Sequence, residues 1–446
     1  MLEHPIQPST GYVSFPEKRA FIYANNHSKY NQGVFMLIED SVKEMEYEII
    51  EAMIKLIKIK AVNPASGGSG ELYRAEFIDE ILKNIGFKTI DRFDVMDDKN
   101  VVRPNIVAKY GGKNQSRTIW FVAHMDTVPE GDLALWETEP FEAVYKEGKI
   151  YGRGTVDNGQ GLLSIIYAIK ALKKSGFVPA YNIGLLIVSD EEMGSRYGLE
   201  YIKDKINFNK NDIFYVPDSG VWDGTEIEIA EKSILWFRIT IKGMQSHGSR
   251  PDLGINANRI CIELSHELID TLYMKYSSKN LLFTPPTSTF EPTKRESNVY
   301  NVNTIPGIDI SYFDCRILPE YNVNEVISVI REMLKKYEDL YHVDIKMDLL
   351  QRNDATEPTS EESEAVQKLM KVLKRTRNLS PKVVGIGGGT CAAIIRRMGY
   401  QAVVWSTIDA VEHSPNEYCK VANLINDTIT FAYIMLWDKT MPDIDR

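Results

Sequence analysis

IWFVAHMDTVPEG, residues 119–131, runs five apolar residues into His124, places Asp126 two positions later and breaks at Pro129 and Gly131. This is the pattern of a buried strand ending on a polar loop. Side chains two apart on a strand point to the same side, so Asp126 is spaced to orient the ring of a ligating His124. Alone, His-x-Asp marks a surface turn more often than a site. The chain repeats the theme. NIGLLIVSDEEMGS (182–195) is an apolar run ending in Asp190, Glu191 and Glu192. FYVPDSGVWDG (214–224) sets Asp218 directly after another run, and STIDAVEHSPNEY (406–418) carries His413 in the turn that follows Gln401 to Trp405.

IYGRGTVDNGQGLLSIIYAIKAL (150–172) adds a Gly-rich turn holding Asp157, with an apolar helix from about Leu162. Gly152, Gly154, Gly159 and Gly161 permit a sharp backbone path and close approach. Neither Gly-x-Gly-x-x-Gly nor a Gly-Lys-Ser/Thr ending occurs there, which argues against a nucleotide loop. His124, Asp157, Glu192, Asp218 and His413 together form the donor set that two zinc ions need when they share one bridging carboxylate. Neighbouring acids point apart, so one at this strand end can bind metal while the other faces a water as general base.

At 446 residues the chain exceeds one ordinary core, and two domains are expected. The net charge of −10 argues against nucleic acid and anionic membrane as partners and points to small molecules. Cys261, Cys315, Cys391 and Cys419 are far apart with no Cys-x-x-Cys pair, as expected of reduced thiols in a cytoplasm. The opening MLEHPIQPSTGYVSFPEK lacks the basic-then-apolar order of a secretory signal, and no run is long enough to cross a membrane. Residues 1–35 read as an N-terminal extension, either an ordered arm or a tail from an upstream start codon. From Met36 the pattern is amphipathic and helical.

Helical stretches alternate with apolar strands from 36 to 225, predicting an α/β domain with a mainly parallel sheet, its site outside the carboxyl ends of the strands. A different rhythm starts at Glu226. A strand Ile234 to Lys242, a helix Asn256 to Tyr273, two strands around Ser288 to Lys294 and Ile308 to Leu318, a helix from Asn324 and a strand from Val343 give the β-α-β-β-α-β order of a ferredoxin-like domain. It is expected to occupy 226–353, with the first fold resuming over 354–446.

The order His-x-Asp, Gly-rich Asp loop, Asp-Glu-Glu, Pro-Asp-Ser, Gly-Gly-Gly-Thr and a late Glu-His resembles the co-catalytic zinc deacylases and peptidases, in the branch of acetylornithine deacetylase and succinyl-diaminopimelate desuccinylase. The resemblance runs from about Met36 to the C-terminus. It implies a zinc-peptidase-like catalytic domain with an inserted lid that also carries dimerisation, giving a homodimer. It implies two Zn2+ per chain, with Co2+ or Mn2+ as substitutes: His124 and Asp218 on one ion, Glu192 and His413 on the other, Asp157 between them, Glu191 as general base and Asp126 behind His124. It further implies that His247, in Gly243-x-x-Ser246-His247, reaches an active site to bind the oxyanion, often that of the partner subunit. Asn303, Gly388, Gly389 and Thr390 match substrate-facing positions, and Asp314 with Arg316 matches either such a position or an ion pair within the lid. The implied substrate is an N-acyl amino acid, with a dipeptide as the alternative and a catalytically silent binding protein as the rival of another class. Two departures stand out. Cys391-Ala392-Ala393 replaces the desuccinylases' usual Ser-Asp-Gly-Arg, and Asn158 follows Asp157 where many relatives carry a second acid.

Overall fold

The protein was analysed as a computed structural model that describes residues 27–437. An eight-stranded sheet forms the larger unit, in the order Thr89–Arg92, Ile106–Tyr110, Tyr181–Val188, Asn114–His124, Ile213–Val216, Gln401–Val404, Glu226–Glu231, Lys382–Ile386. The four central strands, from Tyr181–Val188 to Gln401–Val404, run parallel. Antiparallel pairings flank them, and the last pair is parallel again. Alternation along Asn114–His124 explains the layers: Ile119, Phe121 and Ala123 face one apolar cluster, Trp120 and Val122 the other. The first cluster is covered by the helices Glu46–Lys58, Leu72–Ile85, Gly161–Lys174, Glu364–Arg377 and Val421–Leu436. The second is closed by the short helices Leu199–Ile202 and Cys391–Arg397.

A second unit is threaded between Glu226–Glu231 and Lys382–Ile386. Its four-stranded antiparallel sheet has the order Thr289–Arg295, Ile308–Ile317, Ser233–Lys242, Asp344–Asn353, with helices Ala257–Lys275 and Val323–Tyr341 packed on one face. This is the ferredoxin-like arrangement. Leu235, Phe237, Ile239 and Ile241 alternate into its core, where Phe237 stacks on Phe313 at 4.9 Å.

Two boundaries read from the sequence shift. Residues Glu226–Glu231 pair with Lys382–Ile386 and Gln401–Val404, so they belong to the large sheet and the crossing falls at Lys232. Their alternating pattern is that of any strand, and pairing partners more than 150 residues away leave no local mark. The helix His27–Glu44 starts upstream of Met36 and is followed, after a break at Met45, by Glu46–Lys58. The remainder of the N-terminal extension, residues 1–26, lies outside the described residues. Among the described residues no helix is long and apolar enough to cross a membrane.

Candidate metal centre and active site

Three parallel strands deliver the site from their carboxyl ends. Asn114–His124 ends on His124, Tyr181–Val188 leads through Ser189 into the acidic turn, and Ile213–Val216 leads through Pro217 to Asp218. The Asp157 loop is brought against Asp218 by Gly161, where a Cβ would meet the Pro217 carbonyl oxygen at 1.9 Å, so only glycine allows this approach. Asn158 completes the join: its amide donates to the Pro217 carbonyl at 2.7 Å and to Asp218 Oδ1 at 2.9 Å. The residue that departs from the acidic pattern therefore fixes the direction of Asp218.

Two groups of ligand-type side chains result, His124 with Asp157 and Asp218, and Asp157 with Glu192 and His413, the donor atoms of each lying within 4.8 Å of one another. Asp157 is common to both and divides its oxygens. His124 Nε2 lies 2.8 Å from Asp157 Oδ1 and 3.6 Å from Asp218 Oδ1, while His413 Nε2 lies 3.0 Å from Asp157 Oδ2 and 3.1 Å from Glu192 Oε2. Asp157, Glu191, Glu192, Asp218 and His413 line a cavity of about 220 Å³ with Ser219, Gly388, Gly389 and Thr390 among its other walls.

Asp126 is connected differently from the sequence expectation. The His124 Nδ1 hydrogen bond is to the Asp126 main-chain carbonyl at 3.0 Å, with the carboxylate farther away at 3.5 Å. The fully buried carboxylate instead accepts from the backbone N–H groups of Glu191 (3.0 Å) and Glu192 (3.3 Å) and from the Asn63 amide (2.9 Å). It orients the acidic turn as much as the imidazole. The reason is tertiary: the turn falls directly beside the strand end that carries Asp126.

His247 and Asn303 are brought together but away from this cavity. His247 sits on a two-residue strand paired with Thr304–Ile305, is exposed, and holds Ser249 Oγ at 2.8 Å, while the Asn303 carbonyl accepts from Gly248 at 2.6 Å. Neither is among the cavity's lining residues. Thr390 lines the cavity, yet its N–H and hydroxyl both donate to Glu231 Oε1, at 3.1 and 2.7 Å, so it has no backbone donor left for a substrate carboxylate. Arg316 pairs with Asp314 and donates to the Gly387 carbonyl at 2.8 Å, tying the second unit to the Gly-rich loop.

Sequence reasoning missed Glu417. Its buried carboxylate accepts from the N–H groups of Gly154 (3.0 Å), Val156 (2.9 Å) and Asp157 (3.2 Å) and from Arg153 (2.7 Å), holding the Asp157 loop closed. It lies in the same turn as His413, but a single acid has no period or spacing to announce it. Asn63 and the buried Arg103–Glu71 pair (2.6 Å) behind the acidic turn were equally silent.

The electrostatics are those of a cation site. No lysine or arginine lines the cavity among the described residues, and Glu192 Oε1 is buried without a hydrogen-bond partner. Desolvation and the Asp218 carboxylate push Glu191 well above the usual carboxylate range, and desolvation with Asp157 raises Glu192 to about 7. His413, hydrogen-bonded to Asp157 and Glu192, is raised to about 10. His124 is also raised, because its contacts with Asp126, Asp157 and Asp218 outweigh its burial. Without an ion the imidazoles must serve as the counter-charges, and paired divalent ions would take that place. Hard carboxylate oxygens and imidazole nitrogens are the donors such ions prefer.

Residues 120–436 match the sequence profile of the peptidase family M20/M25/M40. The chain belongs to that family. As an M20 member it is a metal-dependent hydrolase of amide bonds. It is 40% identical to a metallohydrolase of Methanocaldococcus jannaschii over 87% of this chain and 100% of that one. It is 26% identical to succinyl-diaminopimelate desuccinylase of Rickettsia bellii over 83% of this chain and 91% of the relative. In fold it is similar to human carnosine dipeptidase 1, with a TM-score of 0.72 at 17% identity over 90% and 98% of the two chains.

Proposed function

We propose that this M20 hydrolase removes an acyl group from an N-acyl amino acid at a two-ion centre. The observation that carries the reading is the division of Asp157 between two ligand groups. His124 and Asp218 would hold one Zn2+, Glu192 and His413 the other, with Co2+ or Mn2+ as substitutes. Ions bound there supply Lewis acidity, lowering the pKa of a water towards about 7 and polarising the substrate carbonyl. The protein supplies the proton transfers. Glu191 faces the cavity but belongs to neither ligand group, and its raised affinity for a proton suits a base that takes one from the attacking water and returns it to the departing amine nitrogen.

The acyl group is best read as uncharged. Among the described residues no lysine or arginine lines the cavity, the nearby Arg316 is engaged by Asp314 and Gly387, and the buried Cys391 and Ala392 stand where the desuccinylases carry Ser and Asp. Among the described residues lining the cavity, a succinyl carboxylate would find no lysine or arginine to pair with. A dipeptide, whose cleavage would use the same centre and differ only in the pocket, is the second reading. His247 and Asn303 stand exposed beside Tyr300 and Val302, which supports a homodimer in which this hairpin completes the partner's site. The deciding experiment is an amine-release screen of N-acetyl, N-succinyl and dipeptide substrates after loading with zinc, cobalt or manganese. N-acetyl turnover is expected to dominate; preferential succinyl cleavage would overturn the pocket argument, and no turnover of any amide would overturn the reaction.

A further inference from the structure

We propose that Asn63 is a positioning residue, whose single amide nitrogen sets the acidic turn so that Glu191 and Glu192 take separate tasks. The inference rests on the base and ligand roles just assigned. Asn63 is fully buried at the end of the segment after Glu46–Lys58, and its Nδ2 donates to two carboxylates, Asp126 Oδ2 at 2.9 Å and Asp190 Oδ1 at 3.0 Å. Both acids hold the turn. Asp126 accepts the N–H groups of Glu191 and Glu192, while Asp190 starts the turn at φ +65° and is held by Tyr197 N–H (3.0 Å) and Arg103 (3.2 Å).

An amide offers two hydrogens and no charge, so it can join two carboxylates that would otherwise repel each other. Asn63 is itself fixed: its N–H donates to the Thr127 carbonyl at 3.2 Å and its Oδ1 accepts from Ala65 N–H at 3.0 Å. Removing the amide frees Asp126 and Asp190 to move apart, and the two N–H groups riding on Asp126 move with it. Both the base and the ligand then lose their aim together, although Asn63 touches neither side chain.

The test uses the full-length Asn63→Ala and Asn63→Ser chains; Ser keeps an acceptor for Ala65 N–H and supplies one hydrogen in place of two. Zinc affinity is read by chelator competition on the ion-free protein, and kcat and KM on the best amide substrate of the zinc-loaded protein. The weaker zinc site is expected to lose about 10-fold in affinity and kcat to fall about 10- to 100-fold with KM within about 2-fold. Cooperative unfolding of either variant with zinc affinity and kcat unchanged overturns the proposal, as does a fall in melting temperature alone. Should Ala not fold, the Ser chain decides by the same readings. If the wild type binds two zinc ions but cleaves no amide, the reaction is misassigned while the zinc titration still judges Asn63.

Discussion

Asp157 gives one oxygen to each side of the centre, and of the adjacent Glu191 and Glu192 only Glu192 joins a ligand group, which is the ground for proposing separate tasks. Glu191→Gln is therefore expected to retain two metals per chain and lose about two to four orders of magnitude in turnover, because only proton transfer fails. Glu192→Gln should instead weaken metal binding; metal analysis showing the reverse pattern would exchange the two roles. Proton linkage gives a second test. His413 is raised from its ordinary 6.5 to about 10 in the ion-free protein, so its pairing stabilises the ion-free fold fully below 6.5 and is lost as pH rises through about 10. An ion needs the neutral imidazole, so binding must expel a proton and strengthen with pH over that window. Zinc calorimetry at pH 7 in buffers of different ionisation heat should show that release; equal heats would contradict it. His124, Asp157, Asp218 and His413 were legible in sequence because each follows an apolar run or a glycine-rich break. Asn63 and Glu417 were not, since a buried hydrogen bond across more than 60 or 200 residues leaves no local pattern.

The Asp157 loop shows how an element is held for function. Gly154, at φ +87°, opens it, Gly161 lets it touch Pro217 just beyond the strand Ile213–Val216, and Glu417 satisfies three of its N–H groups. Glu417→Gln would break the buried pair with Arg153 and leave a donor facing donors. The expected loss is about 3–5 kcal/mol in urea unfolding, accompanied by weaker metal binding. A loss below about 1 kcal/mol would mean that other contacts hold the loop. The glycines of this loop were readable as punctuation. What they were for depended on Pro217 and Thr127, which come near only in the fold.

Across the described residues, the two largest sheets followed from periodicity: apolar runs with breaks gave the parallel centre, and alternating strands around two helices gave the ferredoxin-like unit. The strand Glu226–Glu231 was placed on the wrong side of the junction because a strand's period does not name its sheet. The same unit carries the dimer prediction. If His247 serves the partner's site, mixing Glu191→Gln with His247→Ala chains should restore about a quarter of all sites, since half of randomly exchanged dimers are mixed and each holds one intact site. Parental activity despite proven exchange would confine His247 to its own chain. The central claim is that ends of strands far apart in sequence converge to hold two ions around one carboxylate. An anomalous-scattering map of zinc-loaded crystals tests it most directly: two peaks are expected, one contacting His124, Asp157 and Asp218, the other Asp157, Glu192 and His413, whereas a single peak, or a pair not joined by Asp157, would contradict it.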